Sequence, residues 1–194
     1  MNNHNKGARI YLLVVSIVML CCITASCENK YNGPPHERDT CQMLEDHFAP
    51  YCKRNNMELI HIGDFTYPSR RLMFGLWFRS YSNENLKEGR ARAVEMLNDF
   101  VSLLQETDLG KTYFENSKKY HHNGNALKLD RSIVGLKIAY WDKNVDRPKA
   151  PYLAEIDFYN DTFYFYEADP VTQGLRLICE ESYDEAQGKN LQNK

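Results

Sequence analysis

"YLAEIDFYNDTFYFYEADP", residues 152–170, is the stretch that decides the fold. Apolar and polar side chains alternate over 152–159 and again over 162–167, the period of two that sends successive residues to opposite faces of a strand. Asn160 and Asp161 between the two runs are residue types that tolerate the positive φ of a tight turn, so the pair reads as a hairpin. The same alternation precedes it over 133–141 and follows it over 175–181, after the turn residues Asp169, Pro170 and Gly174. Four consecutive strands with short links predict a four-stranded meander.

Upstream the pattern changes period. Residues 57–65 and 72–81 read as a β-hairpin turning at Pro68, Ser69 and Arg70. In its second strand Leu72, Phe74, Leu76 and Phe78 oppose Arg79 and Tyr81. Residues 84–106 then carry Leu86, Ala93, Val94, Leu97, Val101 and Leu104 at helical spacing, with Ser82 or Asn83 as the expected cap. Glu88 and Arg92 stand four apart in the favourable order, and Arg90 falls on the face expected to be solvated. An earlier helix is expected from a capping box of Asp39 with Gln42 and a stripe of Cys41, Leu44, Phe48 and Cys52. Pro50 predicts that it ends or kinks near Ala49. The fold class that follows is α+β: a mainly antiparallel sheet made of a hairpin, a long helix and the meander, with two helices packed on one face. Residues 38–185 form this single domain and 186–194 a polar C-terminal tail.

With 43% hydrophobic and 12% aromatic residues in 194, the chain has enough apolar surface for a core, so disorder is the wrong expectation. A net charge of -2 supplies no basic field for phosphate backbones, which excludes a dedicated nucleic-acid binder. The strand order has no parallel crossover with a glycine-rich phosphate turn, so nucleotide folds are disfavoured.

The first 27 residues have a different grammar. Lys6 and Arg9 form a positive start, residues 10–23 are fourteen uncharged and mostly apolar positions, and Thr24, Ala25 and Ser26 are small. That order is the layout of a secretory signal, residues 1–26. Its apolar run is shorter than the roughly 20 residues that cross a hydrocarbon core. Counting Thr24 to Ser26 brings the uncharged run to the lower edge of a span, so a retained anchor is one alternative.

"TASC" at 24–27 resembles the lipobox of bacterial lipoproteins, although Thr24 stands where that family prefers Leu. Cys21 and Cys22 lack the small predecessor that cleavage needs and serve as apolar filler. The resemblance covers these 27 residues alone. It implies that the chain is cut before Cys27 and that the sulfur carries a diacylglycerol, tying the domain to a membrane of the bacterial cell envelope. Cleavage after Ala25 or Ser26 instead would give a soluble secreted form. Removing residues 1–26 leaves 22 bases against 26 acids. Residues 27–37, with Gly33, Pro34 and Pro35, then read as the lipidated N-terminus and a flexible tether.

Catalytic and metal motifs are absent from the sequence. His121 and His122 are adjacent and point apart on an extended chain, and no Cys-x-x-Cys or His-Glu-x-x-His spacing exists. No catalytic residue, metal or cofactor is therefore expected. Cys41, Cys52 and Cys179 lie in apolar stripes, as buried thiols or with one disulfide from Cys179 to the first helix. The recognition residues expected are Tyr159, Tyr164 and Tyr166, in polar phase near Glu155, Asp157 and Glu167, together with Trp141 in the loop after its strand. The expected function is a membrane-anchored lipoprotein with a non-catalytic binding or envelope-assembly role and an envelope protein or glycan as partner. The alternative is a secreted or periplasmic hydrolase using the strand carboxylates Glu155 and Asp157, or Glu180 and Glu181.

Overall fold

The computed structural model of the protein describes residues 35–66, 72–116, 121–122, 125–126, 129, 131–142, 147–172 and 174–192. The signal segment, Cys27, most of the tether and the turn at 68–70 lie outside the described residues. The elements are α1 (Pro35–Arg54), β1 (Met57–Thr66), β2 (Leu72–Ser80), α2 (Leu86–Glu106), α3 (Asp108–Asn116), β3 (His121–His122), β4 (Asn125–Ala126), β5 (Val134–Tyr140), β6 (Leu153–Tyr159), β7 (Thr162–Ala168), β8 (Leu175–Ser182) and α4 (Tyr183–Leu191). A 3-10 turn, Arg131–Ile133, leads into β5.

The class is α+β, as expected. One sheet runs in the order β1-β2-β5-β6-β7-β8, and β3 pairs with β4 as a two-residue ribbon. The hairpin β1–β2 and the meander β5 to β8 are antiparallel. The two halves meet differently: β2 and β5 pair in parallel, Phe74 opposite Val134 through Ser80 opposite Tyr140. The excursion through α2 and α3 makes this possible, since a parallel pair needs a long crossover. Asn160 and Asp161, at φ of 51° and 61°, make the tight turn between β6 and β7.

All four described helices send aromatic rings to one side of the sheet. Phe48 of α1 meets Phe78 at 5.5 Å, Phe100 of α2 and Tyr113 of α3 meet Phe74 at 6.1 and 4.5 Å, and Tyr183 of α4 stacks near Phe163 at 6.5 Å. Leu136, Ile138, Ile156, Phe158 and Phe165 complete this fully buried layer.

Several local expectations are corrected. Helix α1 begins at Pro35, inside the stretch read as tether, and passes through Pro50 without ending. Pro50 is exposed, while Leu44, Phe48 and Cys52 lie on both sides of it in the core. Burial of that stripe outweighs the one backbone bond that proline removes. Helix α2 is capped by Asn85, not by Ser82 or Asn83. Asn85 Oδ1 accepts from the backbone N–H of Lys87 and Glu88, and the Glu88 carboxylate accepts from the Asn85 N–H. Glu84, freed from the helix, is buried and binds Arg92 Nε at 2.5 Å and the Tyr140 hydroxyl at 2.9 Å. Arg92 therefore pairs with Glu84 rather than Glu88.

Two further helices were not foreseen. Gly110 lets α3 turn tightly over the end of α2, since a Cβ there would stand 2.2 Å from the Leu104 carbonyl oxygen. Residues read as a polar tail form α4, which Ser182 and Glu185 cap reciprocally and which buries Tyr183 and Ala186. Among the described residues Cys41, Cys52 and Cys179 form no disulfide, so the bond from Cys179 to the first helix is not made.

Candidate functional site

The other side of the sheet carries side chains that none of the described helices covers. Its composition follows from register, because residues directly opposite on paired strands share a face. One row crosses all six strands: His61, Trp77, Lys137, Asp157, Tyr164 and Glu180. The next row holds Glu58, Arg79, Ala139, Glu155, Tyr166 and Leu177.

At the centre stands a group of charges. Lys137 Nζ donates to Glu155 Oε1 at 2.7 Å and lies 3.4 Å from Asp157 Oδ1. Arg147 Nη1 approaches Glu155 Oε2 at 3.7 Å from the following loop. Glu155 is buried and Asp157 nearly so. Loss of water pushes the Asp157 carboxyl up; Lys137 opposes this and Glu155 adds to it, leaving a pKa of about 6.

Two tryptophans flank the charges. Lys137 Nζ sits 6.0 Å from the Trp77 ring centre, and the guanidinium groups of Arg79 and Arg147 stand 5.4 and 5.9 Å from the Trp141 ring centre. Both contacts fall within the range in which a cation is drawn to an aromatic face.

The sequence-based tyrosines come together here. Tyr159 and Tyr164 stack at 4.4 Å with their planes 14° apart, and Tyr166 follows on the same face, opposite Glu155. All three are half-buried. Burial raises the Tyr159 and Tyr166 hydroxyl pKa values, with Tyr164 and Asp157 respectively the next contributors. Trp141 shares the face but stands beyond Glu155, at the opposite end of β6 from Tyr159. Glu167 does not join them: it is opposite Leu153, on the helix side.

A bulge brings in residues the sequence assigned elsewhere. Phe165 is opposite Cys179 but Tyr166 is opposite Leu177, so Ile178 is one extra residue in β8. Unbroken alternation would put Leu175 and Leu177 inside with Cys179. The extra residue turns them to the side of Tyr166 and Ala168, where both are exposed.

Glu180 and Glu181 are likewise split. Glu180 faces Tyr164, whereas Glu181 turns to the helices and binds Arg90. The pair therefore shares no site. His121 and His122 pair with Ala126 and Asn125 in the small ribbon. Among the described residues, no three His, Cys, Asp or Glu side chains gather as a metal group would. Nor is any described helix long and apolar enough to cross a membrane.

Sequence reasoning missed Trp77, Lys137 and Arg147. For Lys137 the signal was available: it is the only charge within 132–141, at a polar-phase position of a strand otherwise apolar. The arrangement offers acceptors, donors and flat rings side by side, which is recognition chemistry. Compared with known proteins, the chain matches no family model, no curated protein and no solved structure.

Proposed function

We propose that this is a lipid-anchored binding protein of a bacterial cell envelope, attached through Cys27, with recognition by the sheet face of Tyr159, Tyr164, Tyr166 and Trp141. The observation that carries the reading is the division of the sheet. Helices cover one side, and the other presents aromatic rings beside hydrogen-bonding groups. Lipidation of Cys27 rests on the lipobox resemblance, and two acyl chains on that residue make a stable anchor where one would not.

The anchor is tested by Cys27→Ala, with the expectation that the protein leaves the membrane fraction and no longer takes up labelled palmitate. Unchanged retention and labelling would overturn it. The face is tested by ligand titration read through tryptophan fluorescence. The chain has two tryptophans, Trp77 and Trp141, and both belong to this face, so the signal reports on it selectively.

The second reading, a hydrolase, is favoured by one observation: the Asp157 pKa of about 6 lies close to the range useful for proton transfer. Glu155 and Asp157 are nevertheless both engaged by Lys137, the arrangement of a binding group held in place. Turnover of a bound ligand by the native protein, abolished in Glu155→Gln, would favour the hydrolase over the binder.

A further inference from the structure

We propose that the outward side of β7 and β8 is a docking strip for a basic amphipathic helix of a partner protein. This rests on the reading of the same sheet face as a recognition surface and names the kind of partner its β8 side would take.

The strip is built by the bulge. Among the described residues eight large apolar side chains are exposed, and four of them, Val171, Leu175, Leu177 and Ile178, fall within 171–178. The extra residue at Ile178 sets Leu177 opposite Tyr166 and Leu175 opposite Ala168, on the face away from the helices. Glu180 stands opposite Tyr164, which stacks on Tyr159. Tyr164, Tyr166, Leu177 and Leu175 therefore adjoin as one apolar strip two strands wide, about 10 Å. Exposed apolar side chains that stand singly are ordinary, whereas contiguous ones mark interaction sites. The width matches the diameter of a helix, about 10–12 Å.

Charge chooses the occupant. Asp169 stands at one end of the strip, its Oδ1 accepting from the N–H groups of Val171 and Thr172 at 2.8 and 3.1 Å. Glu180 is exposed at the other end, and among the described residues it has no ion pair. The nearby base, Arg176, is turned to the opposite face and held by Glu167 at 2.9 Å. A second copy docked on the strip about a two-fold axis would set acid against acid, whichever way the axis runs. An anionic bilayer would be repelled in the same way. A strand added along β8 would lose its register at Ile178. From Tyr164 to Asp169 is five strand steps, about 17 Å, which a helix covers in about eleven residues. Three turns with apolar side chains on one face, and Lys or Arg near both ends, meet the strip and both acids together.

The test is fluorescence anisotropy of labelled helical peptides of about four turns, added to the full chain in nanodiscs of neutral lipid, with empty nanodiscs as the blank. One peptide has a leucine stripe and lysines elsewhere, a twin has glutamates for the lysines, and a third scrambles the leucines and lysines. The expected result is saturable binding of the first, about tenfold or more tighter than of the other two. Leu177→Ser should weaken it by about tenfold or more. Glu180→Lys should shift the preference toward the glutamate twin, and both variants should melt as the native protein does. Binding unchanged in both variants overturns the strip as the site. Equal binding of the scrambled peptide, or tighter binding of the glutamate twin by the native protein, overturns the basic amphipathic partner. Self-association or anionic-vesicle binding that is lost in Leu177→Ser, with no peptide bound, overturns the occupant and leaves the recognition face standing. Binding of no probe overturns the inference alone. The wider face is then judged by its own tryptophan titration, since Trp77 and Trp141 belong to other parts of the sheet.

Discussion

Arg90 of α2 grips Glu181 of β8 with both arms of its guanidinium, Nε to Oε2 and Nη2 to Oε1, each at 2.7 Å. The same carboxylate accepts from Lys189 Nζ of α4 at 2.9 Å and from the Cys179 thiol at 3.1 Å. One buried acid thus ties together two helices and an edge strand. Glu181→Gln leaves the Arg90 charge uncompensated in a buried position and is expected to cost about 3–5 kcal/mol, measured by denaturant unfolding at neutral pH.

The same group predicts an acid transition. Burial pushes the Glu181 carboxyl up, but hydrogen bonds from Arg90, Lys189 and Cys179 outweigh it and hold the pKa at about 2, against an ordinary 4.5. A depressed folded-state pKa gives stability that is present above the ordinary value and lost below it. Stability should therefore fall from pH 4.5 toward 2, and Glu181→Gln should remove much of that slope.

Asp157 has the opposite sign. Its folded-state pKa of about 6 lies above the ordinary 3.8, so the native protein holds this proton more tightly than the unfolded chain does. Asp157 costs stability above pH 6, and the cost is relieved as pH falls from 6 toward 4. A carboxyl-carbon NMR titration should show a midpoint near 6. A midpoint near 4 would mean that the carboxylate is fully solvated.

Gly110→Ala should be destabilising although alanine is the better helix former. The added Cβ meets the Leu104 oxygen, Cα and carbonyl carbon at 2.2, 2.6 and 2.8 Å, and backbone atoms cannot move aside as a side-chain end does. The expected loss exceeds the propensity gain of about 1 kcal/mol, by an amount typical of overpacking, about 1–3 kcal/mol. A higher melting temperature for the variant would show that α3 shifts freely.

Tyr164→Ala tests the tyrosine face before any ligand is known. At a half-buried strand position stacked on Tyr159 the change is expected to cost about 1 kcal/mol. A loss of about 3–5 kcal/mol, the range for truncating a core aromatic, would show that the ring is part of the core.

What the sequence disclosed and what it concealed divide along physical lines. Alternation over 133–181 carried the meander, and Asn160 with Asp161 carried its turn, because both are local preferences. Helix α3 and helix α4 escaped notice because their stability comes from contacts far along the chain: Tyr113 with Phe74, and the Tyr183 hydroxyl donating to Asn98. Arg90 read as solvated for the same reason, its partner lying 91 residues away. Alternation also says nothing about neighbours, so the parallel meeting of β2 with β5 was invisible. The tyrosines of the candidate site followed from phase alone. Lys137 and Trp77 became members only when register set them opposite Asp157 and each other.

Ile178 has a counterpart on the far side of the sheet. In β1, Leu59 is opposite Phe78 and His61 opposite Trp77, so Ile60 is an extra residue as well. The two outermost strands, β1 and β8, are thus each broken by one bulged isoleucine. A second chain laid along either border could match the ladder before the break or after it, but not both in one register. Bulged borders are a known way to keep sheets from joining edge to edge, and here both ends of the sheet have the device. A protein held beside its own copies, as the proposed anchor would hold it, would have particular need of it: neither border of the sheet that presents the tyrosines keeps one register along its whole length.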